Sequence, residues 1–447
     1  MDKVIYAVTA TQRFGYGALP GQISEAEKSP RRWLIEQLSP AALPKADYDA
    51  NYFLTHFFAL QKKARQLKES QQRLPKEEYA SLNQIALHLA ADNIRAAITA
   101  RDSINYRLLE FFSNHFSISH EGRLLGYLAP VYEREVIAPN MLANFDQLLT
   151  AAVLHPAMLK YLDNDISFGP DSLAGRRRHK GLNENLAREV LELHTLGVNG
   201  GYGQQDVIEL AKALTGWTIS RGQGGSNAGS FFRTKAHQPG PKTIMRKTYR
   251  EVDEQQIREI LRDLAIHPAT ANHISTKLAR HFVTDNPPKS LVAKMTARWL
   301  DTGGNLRSVI TTMIEGDESW SPAAAKLKTP RDFLISSYRA LEIDSQNIPD
   351  KRLIHLLTRL GQKPYGAHSP AGWGDTQQDW SGAAALASKI NWAYGLAKYS
   401  RRDINAVIEA TYGDSLSDHT RETINRADSQ HQALTLFLLS PEFLRRA

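Results

Sequence analysis

"EEYASLNQIALHLAADNIRAAITAR", from Glu77 to Arg101, sets the fold class. Leu82, Ile85, Leu89 and Ile94 fall near one face of a 3.6-residue helix, and the alanines between them raise helix propensity. The same period runs outward through "PRRWLIEQLSP" (Pro30–Pro40) and "SINYRLLEFFSNHF" (Ser103–Phe116). These segments predict a mainly α chain, a large multi-helix orthogonal bundle in which residues 1–447 form one helical domain. "HPA" occurs twice, as His155-Pro156-Ala157 and His267-Pro268-Ala269, each after an apolar helix-like run. Proline suits the first position of a helix, so both mark helix junctions.

Two excursions interrupt the pattern. Residues 220–252 begin with a glycine-rich loop (Gly222, Gly224, Gly225, Gly229). In the second half "SFFRTKAH" and "KTIMRKTY" are expected to pair as a small β-hairpin near 230–250, turning at Gln238 to Pro241. Residues 361–385 form an irregular loop carrying Trp373 and Trp380. Such tryptophans either line a sugar-binding surface or anchor the loop to the core.

Hydrophobic residues at 42% and charged residues at 23% fit a soluble globular protein. With no cysteine, disulfides, thiolate metal sites and cysteine nucleophiles are excluded. No apolar stretch reaches the ~18 residues of a membrane span, and the N-terminus lacks a basic-then-apolar signal pattern, so a cytoplasmic location is expected. The 55 Lys+Arg against 47 Asp+Glu give +8, which favours anionic partners. Spread over 447 residues, that charge disfavours nucleic acid as a partner.

Chemistry concentrates in "NENLAREVLELHTLGVNGGYGQQDVIELAKALTGW", Asn183 to Trp217. Asn183 is a suitable N-cap and Gly197 a suitable left-handed C-cap. At 100° per residue Leu186, Ala187, Val190, Leu191 and Leu193 form an apolar arc that includes His194. Glu184, Arg188 and Glu192 form a ladder on the other side, while Glu189 has no local partner. Glu189 and Glu192 are candidate acid/base groups, with His194 and His115 assisting. The bland alternative is a capped, salt-bridged helix holding a core histidine.

No HExxH spacing is present, so a metal would draw ligands from separate segments, with His115, His155 and Glu189 as candidates and a divalent ion as the cofactor. "GVNGGYG" lacks the lysine of a P-loop and the acids of an EF-hand, and Asp206 reads as a helix-dipole partner. "GGSNAGS" has Ala228 where a nucleophile elbow needs glycine. His273, Lys277 and His281 share a helix face, but the two histidines stand about 12 Å apart along the axis. "GRRRHKG" places Arg176, Arg177, Arg178 and Lys180 before the central helix, where they could hold a sulfate, phosphate or carboxylate or simply form a solvated loop. Lys242, beside His237, and Trp373 complete the candidate substrate contacts.

"RFGYGALPG", "NHFSIS", "HPAMLKYLDN", the central motif, "KLARHFVTDNPP" and "SPAGWGD" together resemble the bacterial domain of unknown function 1800 family. The resemblance spans about Arg13 to Asp375 and implies a large bacterial protein without agreed catalytic residues. It implies an envelope or periplasmic location for many relatives, and a partner from the domain of unknown function 1501 family, which resembles sulfatases. The leading expectation is a hydrolase-like enzyme acting on an anionic or polymeric substrate through a Glu/His site. A non-catalytic binding or assembly protein and a His/Glu metal-binding protein are the alternatives.

Overall fold

The Glu77–Arg101 stretch folds as its periodicity requires, with one change at its start. Lys76–Tyr79 is a 3-10 turn, and the α-helix proper is Ala80–Thr99. Leu82, Leu89 and Ile94 are buried, Ile85 half so. Toward its C-terminal end the helix buries Asn93, Arg95, Ala97 and Ile98 as well. It packs against Arg123–Tyr132, Pro330–Ala340 and Asp350–Leu360, and its alanines let those helices approach. The computed structural model describes residues 2–179, 181–222, 228–250, 253–321 and 326–446. Lys180, Gly224 and Gly225, singled out above, and Val252, where the 220–252 excursion ends, lie outside the described residues.

The chain is a large, mainly α-helical bundle with small two-stranded antiparallel ribbons. One hydrophobic cluster runs through it from Ala7 to Phe443. Both His-Pro-Ala motifs open helices, Pro156–Tyr161 and Pro268–Phe282. In each, the histidine is itself the N-cap: Nδ1 of His155 accepts from the Ala157 amide, and Nδ1 of His267 from the Ala269 amide, both at 3.1 Å.

The hairpin near 230–250 exists, but its pairing differs from the expectation. Gly229–Phe232 pairs back onto Trp217–Ser220, and Lys242–Ile244 pairs with Lys247–Tyr249. The second ribbon turns at Met245 and Arg246, whose φ values of 50° and 65° give the left-handed pair that a two-residue hairpin turn requires. A local turn costs less closure entropy than the longer loop expected at Gln238 to Pro241. Burial of Ile244 and Tyr249 then fixes the register.

Buried charges tie the two ends of the chain together. Arg445–Arg446 pairs with Lys326–Leu327 and carries Arg446 into the core. Thr329 and Asp332 form a reciprocal capping box at the start of Pro330–Ala340, which points Asp332 inward. Arg446 Nε donates to Asp332 at 2.8 Å, as does Arg107 Nη1 from the Ser103–His115 helix. Arg107 Nε also donates to the Gly15 carbonyl at 2.9 Å, and Arg446 Nη1 to that of His281 at 2.6 Å.

Candidate functional site

Four of the quoted motifs meet around His115, the last residue of Ser103–His115. Lys277, on Pro268–Phe282, donates from Nζ to His115 Nδ1 at 3.0 Å. That leaves the His115 proton on Nε2, which faces the His194 carbonyl at 3.3 Å. In return His194 Nδ1 donates to the His115 carbonyl at 3.1 Å. His273 Nε2 meets the Leu193 carbonyl at 3.3 Å. Burial, then the Lys277 charge, drives His115 far below the ordinary histidine range, and the same causes lower His194 to about 3. Burial also lowers Lys277 to about 8, against the pull of Asp375. The "SPAGWGD" loop docks on the same helix end. Asn114 Nδ2 donates to the Trp373 carbonyl at 2.9 Å, and the Trp373 amide donates back to Asn114 Oδ1 at 2.7 Å. Gly372, at φ 82°, leaves no room for a side chain, since a Cβ there would lie 2.5 Å from the Asn114 carbonyl oxygen.

Among the described residues, neither Glu189 nor Glu192 hydrogen-bonds to that histidine pair. The helix Asn185–Glu189 passes directly into a π-helical turn, Val190–His194. Asn183 Oδ1 accepts from the Asn185 amide at 2.9 Å, one residue before the cap proper at Glu184. Glu184 and Arg188 form the expected pair at 3.0 Å. The wider π turn rotates Glu192 out of the ladder, and Tyr202 donates to it at 3.5 Å instead. Glu189 makes no hydrogen bond or ion pair among the described residues. Burial and then Glu192 raise its carboxyl above the usual range. Tyr161 feels both Glu189 and Glu121, and Glu121 lines a groove of which Glu189 is not a wall.

That groove is basic. Arg123, Arg178, Arg221 and Arg233, from four separate segments, line it with Lys160, Phe57, Phe58 and Phe168. Arg178 and Arg233 lie 5.9 and 6.0 Å from the Phe168 ring, Arg221 5.2 Å from Phe58 and Arg123 4.1 Å from Tyr79. None of the four arginines has a carboxylate partner among the described residues. Glu121 and Asp165 also line the groove, and Asp165 is taken by Lys160 at 3.3 Å. Of the arginine run, Arg176 pairs with Asp171 at 3.2 Å, Arg177 is exposed, and Arg178 alone reaches the groove. Lys242 is not part of it. Its Nζ is buried and donates to the Gln238 carbonyl at 2.9 Å, fastening the loop that precedes the second ribbon.

A family model described as "Protein of unknown function (DUF1800)" matches residues 9–445. The chain belongs to the DUF1800 family. No curated protein and no solved structure gives a significant match. Among the described residues of this DUF1800 protein, no helix is long and apolar enough to cross a membrane.

Among those residues, too, no group of three or more His, Asp or Glu side chains could hold a metal ion. The three metal candidates lie in different surroundings: His115 against Lys277, Glu189 beside Glu192 and Arg188, and His155 with its Nε2 on Glu135 at 3.1 Å. The DUF1800 chain also builds a polar cleft that spacing did not reveal. Glu110, Glu133, Arg331, Tyr365, His281, Asp375 and Trp373 line it. Tyr16 donates to Glu110 at 2.5 Å, Tyr365 donates to Glu133, and Asn93 donates to the Tyr365 hydroxyl at 3.2 Å. Burial opposes the Arg331 charge, but Tyr16, Glu110, Glu133 and Tyr365 together outweigh it and hold the guanidinium charged. Burial and then Asp332 raise Glu110. Here the acids and phenols bond mainly to one another, whereas the groove leaves its four arginines without ion pairs among the described residues. The sequence signal for the cleft was Glu110 and Glu133 within helical segments rich in apolar residues, "RLLEFF" and "VYEREVI".

Proposed function

We propose that this DUF1800 protein binds an extended anionic ligand, bearing sulfate, phosphate or carboxylate groups, in the arginine groove. The observation that carries this reading is the set of four guanidiniums in one groove, none of them ion-paired to a carboxylate among the described residues. Arginine forks match the oxygen geometry of such groups, and rings lying against the guanidiniums limit the freedom lost on binding. A ligand of this kind also suits the expected partner family that resembles sulfatases.

Hydrolysis of that ligand is the second reading, and Glu189 carries it. A half-buried carboxyl raised by burial and by a neighbouring glutamate keeps its proton at higher pH, as a general acid must. In that scheme Glu192 holds Glu189 protonated, and His115 and His194 support the helix end from within the core.

Dextran sulfate, with uncharged dextran as control, tests both readings on the full chain. Wild type is expected to bind the sulfated polymer alone, and less tightly as salt rises. Arg178→Gln with Arg233→Gln should weaken it by about tenfold or more. Unchanged affinity in that variant would sink the groove assignment. Glu189→Gln should leave binding intact and abolish any chain shortening. Equal chain shortening by that variant would end the hydrolytic reading and leave the binding one standing.

A further inference from the structure

A second pocket opens far along the chain from the groove, between the helices Asp350–Leu360 and Ala383–Tyr399. Its walls are apolar: Ile343, Ile348, Leu356, Leu360 and Leu396. Tyr338 and Trp392 close one side, ring centroids 5.5 Å apart and edge to face. Nothing in the proposed groove function uses any of these residues.

Three features show that the protein leaves this pocket incomplete. The first is Gly395, inside the 17-residue helix Ala383–Tyr399 and on the pocket wall. Glycine in a helix interior is less favourable than alanine, so its presence there calls for a reason. Close packing is not the reason, because a Cβ at Gly395 would meet nothing within 4 Å. What the missing side chain provides is space.

The second feature is the polar groups. The Trp392 indole N–H is buried and has no acceptor among the described residues, a costly state for a donor shielded from water. The Tyr338 hydroxyl also makes no hydrogen bond among the described residues but, unlike the Trp392 nitrogen, is not fully shielded from solvent.

The third is charge. Arg352 and Arg359 stand two helical turns apart on one face, roughly 10 Å along the axis, with Leu356 between them. Both are exposed at the pocket, and neither has a carboxylate partner among the described residues. An apolar cavity with a few convergent polar groups is the usual form of a small-molecule site. Two open guanidiniums at the rim select an anion, and the aliphatic walls select a hydrocarbon body.

We propose that this pocket binds a medium-chain acyl carboxylate, its chain against Leu356, Leu360, Leu396 and the gap at Gly395, and its carboxylate held by Arg352 and Arg359. The carboxylate oxygens would also supply the acceptors that Trp392 and Tyr338 lack.

Isothermal titration of the full chain with decanoate, below its micelle concentration, and with decanol tests the assignment. Wild type is expected to bind decanoate more tightly than decanol. Gly395→Leu should fill the gap and weaken both ligands by about tenfold or more, with an unchanged or higher melting temperature because a helix glycine is replaced. Arg352→Gln with Arg359→Gln should weaken decanoate by about tenfold and leave decanol unchanged. The groove variants Arg178→Gln and Arg233→Gln should bind decanoate as wild type does, which separates this site from the groove. No decanoate binding by wild type would overturn the proposal. So would full binding by a folded Gly395→Leu protein, or equal losses for decanoate and decanol in the arginine double variant.

Discussion

Two sets of arginines in this molecule differ in what their donors meet. In the core, Arg107, Arg339 and Arg446 are at most 1% exposed, and each is enclosed by acceptors. Arg107 and Arg446 share Asp332, while Arg339 donates to the carbonyls of Gly17, Ala97, Ile98 and Ala100. In the groove, Arg123, Arg178 and Arg221 are exposed, Arg233 is half-buried, and all four lean on rings and meet no carboxylate among the described residues. The same side chain is therefore a structural tie in one place and a recognition element in the other. Burial without acceptors would be ruinous, and exposure with carboxylates would leave little for a ligand.

The largest effect should come from the core set. Asp332→Asn keeps the shape of the side chain but removes the charge between Arg107 and Arg446. Breaking a buried ion pair from one side costs about 3–5 kcal/mol, because the remaining charge is stranded. Urea unfolding at pH 7 is expected to show a loss of that size. A loss below ~1 kcal/mol would mean that water reaches the three-residue hub and that the contrast with the groove is false.

The buried histidines should come next. His194 is lowered to about 3 and His273 to about 4, with burial the largest cause in both. Below ~6.5 the unfolded chain takes up protons that the folded cluster refuses, so stability falls as pH falls from there toward the folded values. Each such histidine contributes roughly 1.4 kcal/mol per pH unit across that window. His194→Gln should therefore reduce the difference in stability between pH 6.5 and pH 5 by about 2 kcal/mol. An undiminished difference would show that His194 is not held neutral by the core, and would return it to the list of titrating catalytic groups.

Much of the fold was legible in the sequence because helix signals are local. The Ala80–Thr99 periodicity, the proline-marked junctions and the burial of His194 within an apolar arc each need only a few neighbouring residues. Legibility stopped where local geometry changed or distant segments met. The π turn at Val190–His194 broke the 100° rotation that placed Glu192 beside Arg188. The tighter Met245-Arg246 turn claimed "KTIMRKTY" for a hairpin of its own. Glu110, Glu133, Arg331 and Tyr365 come together from four parts of the chain, and no spacing links them. Arg178 was visible as part of a basic run, but Arg123, Arg221 and Arg233 were not, because each is a lone arginine until folding brings it to the groove.

The smallest effect on stability, and the sharpest test of the comparison, lies at the groove. Arg178→Gln and Arg233→Gln each remove a ring contact worth ~0.5–1 kcal/mol at an exposed site. They also relieve repulsion among four like charges, which opposes that loss. Unfolding free energy should thus move by less than ~1 kcal/mol for either variant, against the several lost at Asp332. Polyanion affinity should move the other way round: it falls in the groove variants and is unchanged in any Asp332 variant that still folds. Measuring both quantities for both sets decides the matter. If groove substitutions unfold the chain as readily as core ones, those arginines are ties as well, and their unpaired state has no meaning for recognition.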